Sequence, residues 1–265
     1  MKRILGSLLL ILVLSYQAYA LSIEKLYLEI CPFGLPVGAS EENEIVIRDI
    51  YALSVNPQTK MADWVVYRID PKTVNGASVS ERKWKADPLL PASIAMRPAD
   101  YAGLSERGYQ RGHQAPLADF KGTDSWYKTN YLSNITPQQG NLNMGAWEQL
   151  EDAERQFAQA GEVFVMTGTT YENEQPPLPR TTTPHKVPSG YWKIIVIGYP
   201  NAIQAVAFFF TQETPRRRLS KEDAIAIRAL EGKAGLDFFK GLPVDLQDRL
   251  ETEINKDMVG KCVGQ

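Results

Sequence analysis

The sequence predicts a single α+β domain built on a central, mainly antiparallel β-sheet flanked by helices, and three features carry that expectation. Five segments, 44–55, 62–70, 163–170, 191–197 and 205–211, are rich in β-branched and aromatic residues, as strands of a buried sheet are. Two later segments carry helix punctuation: Ser220 stands ahead of 221–230 with Gly232 beyond its end, and Pro243 opens 244–254. No internal repeat or low-complexity block divides the chain. The proline-rich stretch 174–188, with Pro176, Pro177, Pro179, Pro184 and Pro188, reads as a long surface loop and not as a linker between domains.

The N-terminus has a separate logic. Lys2 and Arg3 precede the apolar run 4–14, and Ala18-Tyr19-Ala20 offers the small-x-small pattern of signal peptidase, so residues 1–20 are expected to be a signal peptide cleaved after Ala20. The apolar run is too short for a bilayer span of about 20 residues, and no later segment approaches one. The mature domain, 21–265, is then expected to be soluble and secreted or periplasmic, as a monomer or homodimer without membrane contact.

Losing Lys2 and Arg3 leaves 27 cationic side chains against 31 carboxylates, a net charge of -4. That balance excludes binding of a polyanion through bulk positive charge, but not through a few arginines placed in a cleft. Only two cysteines occur, which rules out a cysteine-rich zinc site. In an oxidising compartment Cys31 and Cys262 are expected to pair, closing a loop whose constraint would stabilise the fold by on the order of 5 kcal/mol.

Polar residues are densest in 101–160, and the chemistry is sought there. The chain has two histidines, so a base working near neutral pH has two candidates, His113 and His185. His113 lies in Gln110-Arg111-Gly112-His113-Gln114-Ala115-Pro116, where Arg111 shares its face if the segment is extended and Gly112 permits close backbone approach. A second strand is expected over 130–138, followed by a helix beginning near Asn141. On that helix Asn143, Trp147, Glu151 and Arg155 recur every four residues, beside an apolar stripe of Ala146, Leu150, Ala153 and Phe157. Taken alone, the stripe is a solvated face with a Glu151–Arg155 pair. Preceded by the hairpin, it places a histidine, an amide, a carboxylate and cations where they can converge on one metal and one phosphate.

Three ordered blocks, Arg-Gly-His-Gln-Ala-Pro-Leu-Ala at 111–118, Asn-Tyr-Leu-Ser-Asn-Ile-Thr-Pro-Gln at 130–138, and Leu-Asn-x-Gly-Ala-Trp with Leu-Glu-Asp-x-Glu-Arg within 142–155, resemble the DNA/RNA non-specific endonucleases of the ββα-metal class, the Serratia-type secreted nucleases. Segments 82–88 and 185–193 extend the likeness over most of the mature chain. The resemblance implies a ββα-metal motif, His113 as general base, Asn143 as the protein ligand of Mg²⁺, and Glu151 holding the metal's water shell. It also implies phosphate contacts from Arg82, Arg111 and Arg155, and Asn134 as a polar residue of the site. The expected activity is hydrolysis of DNA and RNA, single and double stranded, leaving 5′-phosphate ends, with Mn²⁺ able to replace Mg²⁺.

One departure stands out. The family motif opens with aspartate where this chain has Gln110, which keeps hydrogen-bonding capacity but removes a negative charge near the metal, and the family's additional cysteines are absent. The competing reading is therefore a catalytically weak relative that binds nucleic acid for uptake or adhesion. His185, in the proline-rich loop, reads as a surface residue, Arg216-Arg217-Arg218 as a solvated turn, and Trp147 as a packing residue. A serine hydrolase is disfavoured because no Gly-x-Ser-x-Gly elbow occurs.

Overall fold

The structure is a computed structural model that describes residues 25–77 and 82–264, so the expected signal peptide lies outside the described residues. Seven antiparallel strands form the main sheet: β1 (Glu44–Ile47), β2 (Ala52–Val55), β3 (Ala62–Ile69), β6 (Val163–Thr170), β7 (Gly190–Ile197), β8 (Gln204–Thr211) and β9 (Ala224–Ile225), in the spatial order β1-β2-β3-β6-β7-β8-β9. The missing numbers are β4 (Tyr109–His113) and β5 (Ile135–Gln139), which pair only with each other. Among the described residues no helix is long and apolar enough to cross a membrane.

Strand alternation divides the apolar residues between the two faces of the sheet. Val65, Tyr67, Ile69, Tyr191 and Ile195 enter one core, whereas Trp64, Val66, Trp192, Ile194 and Val196 enter the other. After two short helical turns, α1 (Pro71–Val74) and α2 (Gly140–Asn143), the helix α3 (Ala146–Ala160) covers the first core, its Trp147 ring edge-on to Tyr191 and Phe210 at 5.9 and 6.0 Å. The second is covered by α4 (Ile227–Ala234) and α5 (Val244–Glu251) through Ile227, Leu230 and Leu250. A third, smaller cluster joins Tyr101, Tyr109, Leu132 and Ile135 to Leu178 and Val187, so the proline-rich loop is a surface loop with two apolar anchors behind the hairpin.

Several expectations are corrected. Segment 44–55 is two strands, because the chain reverses at 48–51 with Arg48 N bonded to Tyr51 O at 2.9 Å. Ser220 does cap, but only the single turn Lys221–Asp223; Asp223 turns back to Ser220 N, and Ala224–Ile225 add to the sheet edge before α4 begins. That helix runs through Gly232 and stops at Gly235, φ +67°. Beyond α5, a helix not anticipated, α6 (Lys256–Val263), starts at the Asn255 cap.

The expected disulfide is absent. Cys262 on α6 lies in the first core and Cys31 in the second, so the sheet separates two free buried thiols, and Cys31 Sγ donates to Gly34 O at 2.9 Å. Burial raises both thiol pKa values, that of Cys262 to about 12. Reducing agent is expected to leave the thermal unfolding midpoint unchanged, and denatured, unreduced protein to titrate two thiols.

A buried ion pair crosses the first core. Lys193 of β7 and Glu154 of α3 are both fully buried; Lys193 Nζ donates to both Glu154 carboxylate oxygens at 2.9 Å and to Tyr67 Oη at 3.1 Å. Tyr67 Oη donates in turn to Glu154 Oε1 at 2.9 Å. Removing one partner of such a pair strands the other charge in a low-dielectric interior, so Lys193→Met should lose ~3–5 kcal/mol in urea unfolding at pH 7. Lys193→Met with Glu154→Leu should recover most of it; a single-variant loss under ~1 kcal/mol would contradict the role given to the pair.

Candidate active site

The hairpin of β4 and β5 carries Gln110, Arg111 and His113. Its register pairs Arg111 with Pro137, Gly112 with Thr136 and His113 with Ile135. A Cβ on Gly112 would meet Gln138 Oε1 at 2.4 Å and Gln138 Cβ at 2.8 Å, so only glycine lets the two strands close here. Arg111 and His113 share a face, and both lie against Trp84, whose ring is 5.4 Å from the His113 ring and 5.4 Å from the Arg111 guanidinium carbon. Arg111 Nε is buried without a hydrogen-bond partner, and no carboxylate pairs with this guanidinium among the described residues.

Trp84 is delivered by the strap 82–90, which is pinned at Asp87. That buried carboxylate accepts from Arg48, from Ser133 Oγ and from Leu89 N at 2.9 Å. Lys85 lies alongside Tyr131. Arg82, at the start of the strap, is exposed and near enough to His113 for its charge to act on the imidazole.

His113 Nε2 lies 3.2 Å from Asn130 Oδ1. An amide oxygen only accepts, so Nε2 carries the proton and Nδ1 keeps a free lone pair. Burial lowers the His113 pKa to about 4, against the Asn130 hydrogen bond and with help from the positive charge of Arg82. The imidazole is thus a neutral base at physiological pH.

Asn143 comes from a short turn, α2 (Gly140–Asn143), and not from the long helix. The expected single stripe from Asn143 to Arg155 is therefore broken at Gly145, where the backbone (φ -126°, ψ -117°) separates α2 from α3. A Cβ there would meet Asn141 O at 2.5 Å, which explains the glycine. Asn143 Nδ2 donates to Gln110 Oε1 at 2.7 Å, tying the turn to β4. Trp147, next on the stripe, is wholly buried and packs, while Glu151 and Arg155 are half-buried on α3.

Arg155 Nη1 donates to Asp119 Oδ1 at 2.8 Å, and its Nη2 to Asp152. Asp119 follows His113 by six residues, so this bond ties α3 to the segment that leaves the hairpin. Although burial penalises its charge, the Asp119 and Glu151 carboxylates hold the Arg155 pKa above its ordinary value. Burial raises the Glu151 pKa to about 7, opposed by Lys193 and Arg155 and reinforced by Glu154. Burial and the nearby Glu154 likewise push Asp119 up, against Arg155.

The structure thus gathers Arg111 and His113 against Trp84, brings the charge of Arg82 to bear on His113, joins Asn143 to the same strand through Gln110, and ties Arg155 to the chain just after His113. Asn134 sits apart from solvent: its Oδ1 accepts from Ala115 N, and its Nδ2 donates to Ala115 O and Thr129 O, each at 2.9 Å. Its amide is spent on backbone, bracing the segments on either side of His113 and Asn130. His185 Nε2 accepts from Leu178 N at 2.9 Å and its Nδ1 donates to Thr183 O at 2.7 Å, so both ring nitrogens hold the proline-rich loop together. Arg217 pairs with Asp223 at a turn.

Sequence reasoning missed Asn130, Asp119, Glu154 and Lys193. Two of these carried a signal. Glu154 falls four residues after Leu150 and seven after Trp147, on the core stripe of α3. Lys193 alternates with Tyr191 and Ile195, on the core face of β7. A lone cation and a lone carboxylate at buried positions of adjoining elements point to an ion pair. Asn130 and Asp119 depend on loop geometry and left no such pattern.

A cation-binding position is limited by the donors present. Among the described residues no three His, Cys, Asp or Glu side chains cluster as metal ligands. Among the described residues, Asn143 offers a half-buried amide whose oxygen meets no donor, and Glu151 a carboxylate without an ion pair. So sparse a set suits a hard ion that keeps most of its waters, as Mg²⁺ does, and excludes a thiolate or imidazole cage.

The depressed His113 pKa has a consequence for stability. The folded state favours neutral imidazole, so this contribution is complete above the unfolded value near 6.5 and is lost as pH falls through about 4. Relative to His113→Gln, wild-type protein should lose unfolding free energy between pH 6.5 and 4, and NMR should show the His113 ring titrating near the lower value. An imidazole titrating at 6.5 or above would contradict the burial and Arg82 effects.

The family description "DNA/RNA non-specific endonuclease" matches residues 30–245. The chain is 40% identical over 247 residues to the nuclease of Serratia marcescens, covering 91% of each protein. It is 25% identical over 232 residues to a nuclease of a Nostoc species, covering 83% of this chain and 82% of that one. The crystal structure of the EndoG/EndoGI complex superposes with a TM-score of 0.67 at 21% identity, covering 82% of this chain and 92% of that chain, a likeness of fold alone. The chain belongs to the DNA/RNA non-specific endonuclease family.

Proposed function

We propose that this nuclease is an exported, Mg²⁺-dependent endonuclease that hydrolyses DNA and RNA, single and double stranded, with His113 as general base. The observation that carries the reading is the His113 environment: a neutral imidazole on β4 with Nε2 committed to Asn130, subject to the positive charge of Arg82 and sharing a strand face with Arg111, neither of which pairs with a carboxylate among the described residues, while Gln110 of the same strand touches Asn143. His113 Nδ1 takes a proton from a water, the water oxygen attacks phosphorus, and the bond from phosphorus to the 3′ oxygen breaks to leave a 5′-phosphate and a 3′ oxygen that takes a proton from solvent to become the hydroxyl, His113 returning its own proton to solvent. Arg82 and Arg111 neutralise the non-bridging oxygens as charge develops. Arg155, held by Asp119, and Glu151 orient the solvent shell on the helix side. When bound through Asn143, Mg²⁺, or Mn²⁺ in its place, supplies positive charge to the phosphate and the departing oxygen.

Contacts to phosphate and sugar carry no sequence information, which accords with a low sequence preference. Export rests on the signal-like residues 1–20.

Mature protein incubated with supercoiled plasmid and with RNA should degrade both in Mg²⁺ and neither in EDTA. His113→Ala should slow this by about 10²- to 10⁴-fold. Intact substrate across a range of protein and Mg²⁺ concentrations would favour the nucleic-acid-binding alternative instead.

A further inference from the structure

We propose that Gln110 is the positioning residue that orients the Asn143 amide toward the cation, and that Met144 in turn orients Gln110. The inference rests on the reading of Asn143 as the cation ligand. A primary amide is nearly symmetric in shape, so an unrestrained asparagine presents oxygen or nitrogen to a site with little steric preference, whereas only the oxygen ligates a cation. Here the symmetry is broken twice in sequence.

Met144 Sδ lies 3.2 Å from Gln110 Nε2. A thioether accepts weakly and never donates, so the NH₂ end of Gln110 is the end that faces it. Gln110 Oε1 then faces Asn143 and accepts from its Nδ2 at 2.7 Å. Asn143 Oδ1 then meets no donor among the described residues and is the atom available to the ion. Gly140 makes room for this relay, since a Cβ there would come within 3.2 Å of Gln110 Nε2. Met144 is 40% exposed, so the sulfur holds Gln110 without filling a core.

A carboxylate at position 110 would accept from Asn143 through either oxygen and would need no keying by the sulfur, while adding negative charge near the ion. Neutral Gln110 does the orienting without that charge, so its dependence on Met144 is the signature that separates a relay from simple packing.

The test is titration of MnCl₂ into metal-free protein, followed by electron paramagnetic resonance of free Mn²⁺, with thermal melts to check folding. Gln110→Leu should weaken Mn²⁺ binding by about 10- to 100-fold, as loss of a partner behind a metal ligand does. Gln110→Glu should bind at least as tightly as wild type. Met144→Leu should weaken binding in the wild-type background and change nothing in the Gln110→Glu background.

Equal affinity of Gln110→Leu and wild type would overturn the proposal, as would an equal Met144→Leu effect in both backgrounds. If Gln110→Leu does not fold, the Met144→Leu comparison alone decides. Asn143→Ala separates the two layers: if it binds Mn²⁺ as wild type does, the ligand reading itself is wrong, whereas loss of binding there with no effect at Gln110 refutes only the relay.

Discussion

The ion pair between Lys193 and Glu154 is the constraint on which the site rests. It fixes the rotation and depth of α3 against the sheet, because two fully buried charges are satisfied only where they meet. Glu151 and Arg155 flank Glu154 on that helix, so their direction is set by a bond neither of them makes. A second tie, Arg155 to Asp119, joins the same helix to the chain leaving the hairpin. With the helix held at both places, the hairpin base and the helix charges keep a common frame.

The same buried charges shape the site's electrostatics. Burial pushes Glu151 and Asp119 toward the neutral acid, and the opposing cations Lys193 and Arg155 pull them back. On the hairpin side burial and Arg82 act together, so His113 stays neutral far below physiological pH. A neutral imidazole near guanidinium groups that pair with no carboxylate among the described residues is the combination the proposed proton transfer and phosphate contacts require.

Much of this was legible in the sequence. Strand composition located the central sheet because those segments, apart from the half-exposed edge strand β1, are buried on both faces, and the two-residue spacing of Arg111 and His113 placed them on one face, as found. Legibility failed where tertiary contacts override local pattern. Four-residue spacing extended one helix through Asn143, but Gly145 breaks it, and the resulting turn is what brings Asn143 to Gln110. Ser220 announced a helix and capped only a turn, since the next residues are captured by the sheet edge. The two cysteines read as a bridge by count and compartment; nothing local reveals that the sheet passes between them. Asn134, carried over as a residue of the site, is occupied entirely by backbone groups.

That His113 and Asn143 belong to one catalytic unit is tested most directly by a kinetic double-mutant cycle on plasmid cleavage in saturating Mg²⁺. Groups that act together lose function together, so His113→Ala with Asn143→Ala should be hardly slower than the worse single variant. Losses in kcat that multiply across the two positions would mean that the base and the amide act independently, and a single site built on both would be wrong.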